Sequence, residues 1–343
     1  MQKTVTFGIA AYNAEKYLDK CLNSFLSREV SERIEVLIIN DGSSDCTEQI
    51  AKSFEEKYPE IFRVISQENK GHGGALNTAV SQAAGKYFKA VDADDWVVTD
   101  NLPMYVDCLE KTEADVVMNS YHTVNLANGK KQAFSVESAK CGVLISMDEL
   151  AKSYRGIASC CSFHGITYKT EFYQNIGFRL TEKVFYEDNE YAIIPFFHAE
   201  TVMLLSFYLY EYQIGNGEQS VAFHNQVKRI GQLETVIQAI LSYQKAHNWK
   251  TLGGKAYYYQ KFPTVVASYY AIAFVKNPNK KEGRQLAERF YRVIEDSDPL
   301  LNRMASKKIK TLRLFNKLHF PAHLYEKLMS TRLYKTIRNL WVK

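Results

Sequence analysis

Three carboxylates fall within the four residues Asp92-Ala93-Asp94-Asp95. Acids this close repel one another and shift their pKa values unless positive charge sits among them. A hard divalent cation would supply that charge, and Mg²⁺ in particular takes one or two carboxylates together with substrate phosphates. The plain alternative is a solvated acidic turn that caps a helix. A second acidic pair, Glu187-Asp188, lies in the aromatic segment Phe185–Tyr191. A carboxylate flanked by apolar groups can carry a raised pKa and serve as a base, and an acidic helix N-terminus is the competing reading. Asn40-Asp41-Gly42-Ser43-Ser44-Asp45 reads as a strand-to-helix turn with a capping Asp, and it could also aim Asp41 into a nucleotide pocket. Gly71-His72-Gly73-Gly74 precedes a helix and could approach phosphates closely, although it matches neither the dinucleotide fingerprint nor the P-loop. His72, His164, His198 and His224 stand singly, which favours roles other than metal ligation.

The elements that must position these groups alternate. Thr4–Ala10, Ile34–Ile39, Phe62–Ser66 and Tyr87–Val91 read as strands. Ala14–Leu26, Thr47–Lys57 and Gly73–Ala84 read as helices between them. Such alternation predicts βαβ units and a mainly parallel sheet. Ligands of such sheets bind beyond the carboxyl ends of the strands. There the chain places Tyr12-Asn13, Asp41-Gly42-Ser43 and Asp92-Ala93-Asp94-Asp95. Asp115–Ser120 and Val202–Tyr210 are further strand candidates. From about His224 the texture turns helical, with a stripe at Ile230, Leu233, Val236, Ile237, Ile240 and Leu241. An aromatic-rich stretch, Lys255–Val275, is interrupted by Pro263, and Lys281–Glu295 follows as another helix. The expected division is a catalytic α/β domain over 1–220 and a helical region over 221–343.

Composition narrows the class. The 343 residues are 46% hydrophobic and 24% charged, ordinary for a globular chain with a sizeable core. Apolar runs stay well short of the roughly 20 residues of a spanning helix. The opening MQKTVTFGIAAYN lacks the apolar core and cleavage site of a leader peptide, so a cytoplasmic chain is expected. Six scattered cysteines without a C-x-x-C pair read as free thiols and argue against zinc. The net charge of +5 hides an asymmetry. Residues 301–343 hold eleven Lys/Arg and one acid, Glu326, whereas the preceding 300 residues are net −5.

Six segments taken together resemble glycosyltransferase family 2. They are FGIAAYN with EKYLDKCLNSFL, IEVLIINDGSSDCT, SQENKGHGGALNTAV, GKYFKAVDADDWV, FYEDNEY and YEYQIGNGEQSV, and they cover roughly residues 1–225. GKYFKAVDADDWV resembles the segment with the family's D-x-D motif, and FYEDNEY its E-D motif. The resemblance implies a GT-A fold and inverting transfer from a nucleotide-diphosphate sugar, usually UDP-linked. By position, Tyr12 would flank the uracil and Asp41 would hydrogen-bond it, with Ala11, Asn13, Asn77 and Ala93 also on the donor side. Asp92 would lie near the ribose and metal. Asp94 would be the main ligand to Mg²⁺ or Mn²⁺, with Asp95 close enough to share that role. Asp188 would be the general base, with Glu187 beside it. His164 could contact the sugar or acceptor. The Gly215–Val221 loop, with Gln219 and Ser220, would form a lid over the donor. Many members have Ala-Arg-Asn where this chain has Ala75-Leu76-Asn77, so any phosphate contact by that Arg falls here to another group, such as Lys70. The Q-x-x-R-W pattern of processive synthases is absent, which predicts single-sugar addition.

The basic tail, 301–343, interleaves cations with Leu, Phe, Tyr and Trp. Such a stretch reads as an element of an anionic membrane surface. A packed helical face and nucleic acid are the other readings, and no nucleic-acid motif supports the last. Membrane attachment would suit a lipid-linked saccharide acceptor in bacterial capsule, exopolysaccharide or cell-wall synthesis, at the inner face of the cell membrane. A sugar nucleotidyltransferase and an inactive membrane-surface scaffold of the same fold are the rival expectations. A homo-oligomer is left open.

Overall fold

A computed structural model describes residues 3–215 and 223–330. Met1–Asn216 with His247–Tyr258 form one compact unit, and Gly217–Ala246 with Tyr259–Lys343 form another. In the first unit the chain runs β1 (Val5–Ala11), α1 (Leu18–Asn23), β2 (Ile34–Asp41), α2 (Thr47–Lys57), β3 (Phe62–Gln67), α3 (Gly71–Gln82) and β4 (Tyr87–Asp92). It continues through β5 (Trp96–Val97), α4 (Leu102–Lys111), β6 (Val116–Asn125), β7 (Lys131–Phe134), β8 (Leu144–Ser146), α5 (Met147–Lys152) and α6 (Tyr154–Ile157). β9 (Ile166–Lys169), α7 (Thr170–Asn175), α8 (Asp188–Ile193) and β10 (Thr201–Ile214) complete it.

One sheet holds these strands in the order β3-β2-β1-β4-β9-β6-β10-β5, with β7 beside β6 and β8 beside β10. β3, β2, β1 and β4 are parallel neighbours, and so are β6 and β10. β9 runs antiparallel between β4 and β6. The architecture is thus α/β with a mostly parallel sheet. β2 shows why its apolar run is continuous: Val36 and Ile38 enter one core layer, while Leu37 and Ile39 enter the other. β4 alternates likewise, with Tyr87 and Val91 on one face and Phe88 and Ala90 on the other.

Two helix expectations change. The helix read over Ala14–Leu26 shrinks to Leu18–Asn23. Its first residues are held by the next strand-end loop instead: the Ala14 amide donates to Thr47 Oγ1, the Glu15 amide to Asp45 Oδ2, and Asn13 is left-handed at φ 49°. Conversely, Pro263 does not interrupt its helix, which runs from Leu252 to Ala271 and continues as a π-helical turn to Lys276. Proline removes one backbone donor and crowds the preceding turn, and the buried aromatic packing of this segment outweighs that cost.

Helices make up the described part of the second unit. They are α9 (Phe223–Lys228), α10 (Ile230–Ala246), the later part of α11 (Leu252–Ala271), α12 (Lys280–Ser297), α13 (Pro299–Lys317) and α14 (Ala322–Ser330). The stripe Leu233, Val236, Ile237, Ile240 and Leu241 is buried. Tyr269 stacks on Phe290 at 3.7 Å. No helix among the described residues is long and apolar enough to cross a membrane.

Candidate active site

The sheet ends β1, β2 and β4 at one edge, and three loops meet there. Asn13 accepts from the Ser44 amide at 2.9 Å, and its own amide donates to Ser43 Oγ at 3.1 Å. Tyr12 is exposed at 55%, whereas Ala11 is buried. Asp41 is buried; its Oδ1 accepts from Gln67 Nε2 at 2.7 Å and from the Lys70 amide at 2.9 Å.

The β4 end carries the acids. Asp95 is fully buried, with Oδ2 accepting from the Tyr210 hydroxyl at 2.6 Å and Oδ1 from the Gln213 amide at 2.7 Å. The same hydroxyl accepts from the Asp92 amide at 3.0 Å, so one phenol ties both acids to β10. Burial, then the charges of Asp92 and Asp94, push the Asp95 pKa well up against those hydrogen bonds. His164 approaches with Nε2 3.9 Å from Asp92 Oδ2 and 4.0 Å from Asp95 Oδ2.

Asp92, Asp95 and His164 thus bring ligand atoms within 4.8 Å of one another. Two carboxylate oxygens and an imidazole nitrogen suit a divalent cation, and a cation there would relieve the repulsion that raises Asp95. Asp94, half-buried on the intervening turn, is not one of the three. Asp94, expected as the main metal ligand, stands beside this group, and His164, expected near the sugar or acceptor, lies with the acids instead. His164 is fixed by stacking on Tyr212 at 4.0 Å and by the Lys89 ammonium, which donates to the His164 carbonyl at 2.9 Å.

Lys89 escaped the sequence reading. It is fully buried in β4 and also donates to Asn119 Oδ1 at 3.2 Å and to the Ile166 carbonyl at 3.3 Å. Burial lowers its pKa to about 7. The signal was a lone lysine inside the apolar run Tyr87–Val91.

His72 also gains a role that its isolation in sequence concealed. Its Nε2 lies 2.9 Å from Asp92 Oδ1 and its Nδ1 2.6 Å from Glu187 Oε1. The ring therefore bridges the two acidic segments. Burial disfavours the imidazolium, but the Asp92 and Glu187 hydrogen bonds and charges win and raise its pKa well above the usual value. Reciprocally, His72, with the charge of His164 behind it, holds the Asp92 pKa low in spite of burial.

The glycines around His72 lie against the backbone of 181–183. Gly71 has φ +75°, and a Cβ there would stand 2.8 Å from the Lys183 amide nitrogen; a Cβ on Gly73 would stand 2.5 Å from the Thr181 carbonyl oxygen. Asn77, read as a donor contact, is buried and exchanges two hydrogen bonds with the backbone of Leu180, at 2.9 Å and 2.8 Å. That clasp seats 180–183 against α3 and so delivers Glu187 to His72.

Asp188 opens α8 and is exposed, whereas Glu187 is buried. Tyr212 relates it to the other acids: burial first, then the charges of Asp92, Asp95, Asp188 and Asp94, raise its phenol pKa. Ala93 is buried in the turn. Gln219 and Ser220, and the loop expected as a lid beyond Gly215, lie outside the described residues.

Comparison with known proteins bears on the family and the fold. Chondroitin synthase of Escherichia coli is 36% identical over 121 residues, 35% of this chain and 17% of that protein. The chain spans only 18% and 33% of two other curated relatives it matches. The crystal structure of S. aureus TarS 1-349 overlays with a TM-score of 0.62 at 16% identity, covering 94% of this chain and 91% of that one. The same fragment in complex with UDP-GlcNAc gives 0.52 at 17% identity, covering 86% and 91%. The mannosyltransferase PcManGT from Pyrobaculum calidifontis, in complex with GDP-Man and Mn²⁺, also gives 0.52, at 16% identity over 92% of this chain and 87% of that one. These overlays give the chain a GT-A-like fold. The family model for glycosyl transferase family 2 matches residues 6–177, half of the chain, and the protein belongs to that family.

Proposed function

We propose that the chain transfers a single sugar, with inversion, from a nucleoside-diphosphate sugar to a saccharide hydroxyl in polysaccharide synthesis, and that uridine is the donor nucleoside. The observation that carries this reading is the Asp92–Asp95–His164 cluster at the carboxyl end of β4, joined through His72 to the segment that presents Asp188. The resemblance of sequence motifs assigns Asp188 the base, and its setting supports that reading: it is exposed at the start of α8, and it shares the field around Tyr212 with Asp92, Asp94 and Asp95. TarS and chondroitin synthase, by their names and bound donor, favour a UDP-sugar and a polymer pathway, and PcManGT favours a divalent metal.

Asp92, Asp95 and His164 would hold the cation, with Asp94 beside them. When bound there, a divalent cation offsets the donor diphosphate and the charge that grows on it as it leaves. Asp188 accepts the proton of the acceptor hydroxyl. The hydroxyl oxygen then forms its bond to the anomeric carbon from the face opposite the diphosphate, as the bond from that carbon to the diphosphate oxygen breaks. One displacement inverts the centre, and a second nucleophilic carboxylate has no task. Tyr12, exposed at the β1 end, stacks on the base, and Asp41 sits at the β2 end to read it.

Calorimetry with a panel of UDP-, GDP-, TDP- and CDP-sugars, in Mn²⁺ and then in EDTA, tests the reading. One UDP-sugar should bind only with metal. Asp188→Asn should keep that binding and lower transfer by about 10²- to 10⁴-fold. Metal-independent binding, or turnover of Asp188→Asn at the wild-type rate, would overturn the assignment.

A further inference from the structure

We propose that α13 is a docking surface for an anionic lipid bilayer. The helix carries two apolar faces. Leu301, Ala305, Ile309 and Leu312 are buried and hold α13 to its own unit. Leu300, Met304, Leu314 and Leu318 follow one another on a different face at helical spacing, with Thr311 between them. They are exposed, Leu318 at 67%, Leu314 at 51% and Met304 at 47%. A solvated helix would carry polar residues there.

The charge beside this stripe specifies the occupant. α13 contains Arg303, Lys307, Lys308, Lys310, Arg313 and Lys317 and no acid. Lys307 stands within the apolar stripe, and Arg303, Lys310 and Arg313 line a cleft of about 480 Å³ along one of its flanks, between α12 and α13. Among the described residues Glu295 is the one acid lining that cleft. An apolar strip with a cationic margin is the pattern that enters the headgroup and acyl boundary of an anionic leaflet: the leucines enter it, and the cations meet lipid phosphates. Nucleic acid would satisfy the cations but leave the leucines in water. A second copy of this chain would bring the same positive charge to the contact.

Flotation of the full chain with vesicles tests the surface, using phosphatidylcholine alone and phosphatidylcholine mixed with phosphatidylglycerol. The chain should float with the anionic vesicles, stay unbound with the neutral ones, and be released by high salt. Leu314→Glu with Leu318→Glu should weaken flotation by about tenfold or more, and so should Arg303→Gln with Lys310→Gln and Arg313→Gln. Thermal melting and nucleotide binding serve as folding controls, and the glutamine set decides the matter if the glutamate pair does not fold. No flotation of the wild type, or wild-type flotation by folded variants, overturns the proposal. So does a concentration-dependent dimer in sedimentation that the glutamate pair dissolves, because the stripe would then be covered by a second copy.

Discussion

Glu35 and Asp92 occupy opposite ends of the two strands that flank β1, and their surroundings differ in a way that separates support from chemistry. Glu35, near the start of β2, is buried. Its Oε2 accepts from the Thr6 hydroxyl at 2.5 Å and the Ala84 amide at 3.0 Å, and its Oε1 meets the Arg63 guanidinium at 2.9–3.1 Å. The Arg63 guanidinium bonds this anion, the Lys3 charge lies near it, and neutral donors complete its shell. Asp92, at the end of β4, is a quarter exposed and shares its surroundings with Asp94, Asp95, Glu187 and Asp188. Two imidazoles, His72 and His164, are the nearby bases. The Glu35 end is neutralised from within, and the Asp92 end keeps an excess of negative charge that an incoming cation can use. This is the general asymmetry of parallel sheets, whose carboxyl ends take ligands.

Removing Glu35 should give the larger effect, and on stability. Glu35→Ala leaves Arg63, the Thr6 hydroxyl and the Ala84 amide without that acceptor. A broken buried pair costs 3–5 kcal/mol, but Arg63 remains 39% exposed, so solvent recovers part of it. A loss of about 2–3 kcal/mol in urea unfolding is expected, with turnover per folded molecule unchanged. A matching drop in turnover of the folded protein would show that the two ends are coupled.

His72 should behave in the opposite way. His72→Ala unties Asp92 from Glu187 at a ring that is about a third exposed, and leaves the buried Glu187 carboxylate without that partner, so its stability loss should be smaller than that of Glu35→Ala, about 1 kcal/mol. Transfer should fall by about 10- to 100-fold, mostly in kcat, because the two acidic segments lose their common partner. Added imidazole should restore part of the rate, since it fits the space and can bond both carboxylates. Wild-type kcat in the alanine variant, or a fall matched by lost stability, would reduce His72 to a packing residue.

The difference in legibility follows the same lines. The alternation of strands and helices was readable because each parallel strand is buried on two faces, as Val36 to Ile39 illustrate. Asp41, Asp92, Asp95 and Asp188 were readable as residue types at strand and helix ends, and the structure brings the latter three to one neighbourhood. His72 was not, because its two partners are 20 and 115 residues away and only the fold pairs them. His164 and Asp95 meet for the same reason, across β9, β6 and β10. Helix limits failed where a tertiary bond overrode periodicity, as at Ala14 and Glu15, and where packing overrode propensity, as at Pro263.

Glu190 offers the smallest and most specific test, because it lies in the field of Glu187 and Asp188 without belonging to the Glu35 or the Asp92 end of the sheet. It is fully buried in α8, and its carboxylate accepts from the Thr181 amide at 2.7 Å and hydroxyl at 2.6 Å. Burial above all, with the charges of Glu187 and Asp188, raises its pKa to about 7 against those two hydrogen bonds. An unfolded glutamate titrates near 4.5. Between these values the folded chain binds more protons than the unfolded one, so this group's contribution to stability falls as pH rises from 4.5 towards 7. The loss should be about 1–3 kcal/mol across that window and should level off above it. Glu190→Gln keeps an acceptor for the Thr181 amide and a donor for its hydroxyl, and it carries no proton to lose. Its unfolding free energy should therefore decline less over the same pH range. Parallel declines in the two proteins would place the titrating group elsewhere, and Glu187 and Asp188 would be the next acids to neutralise.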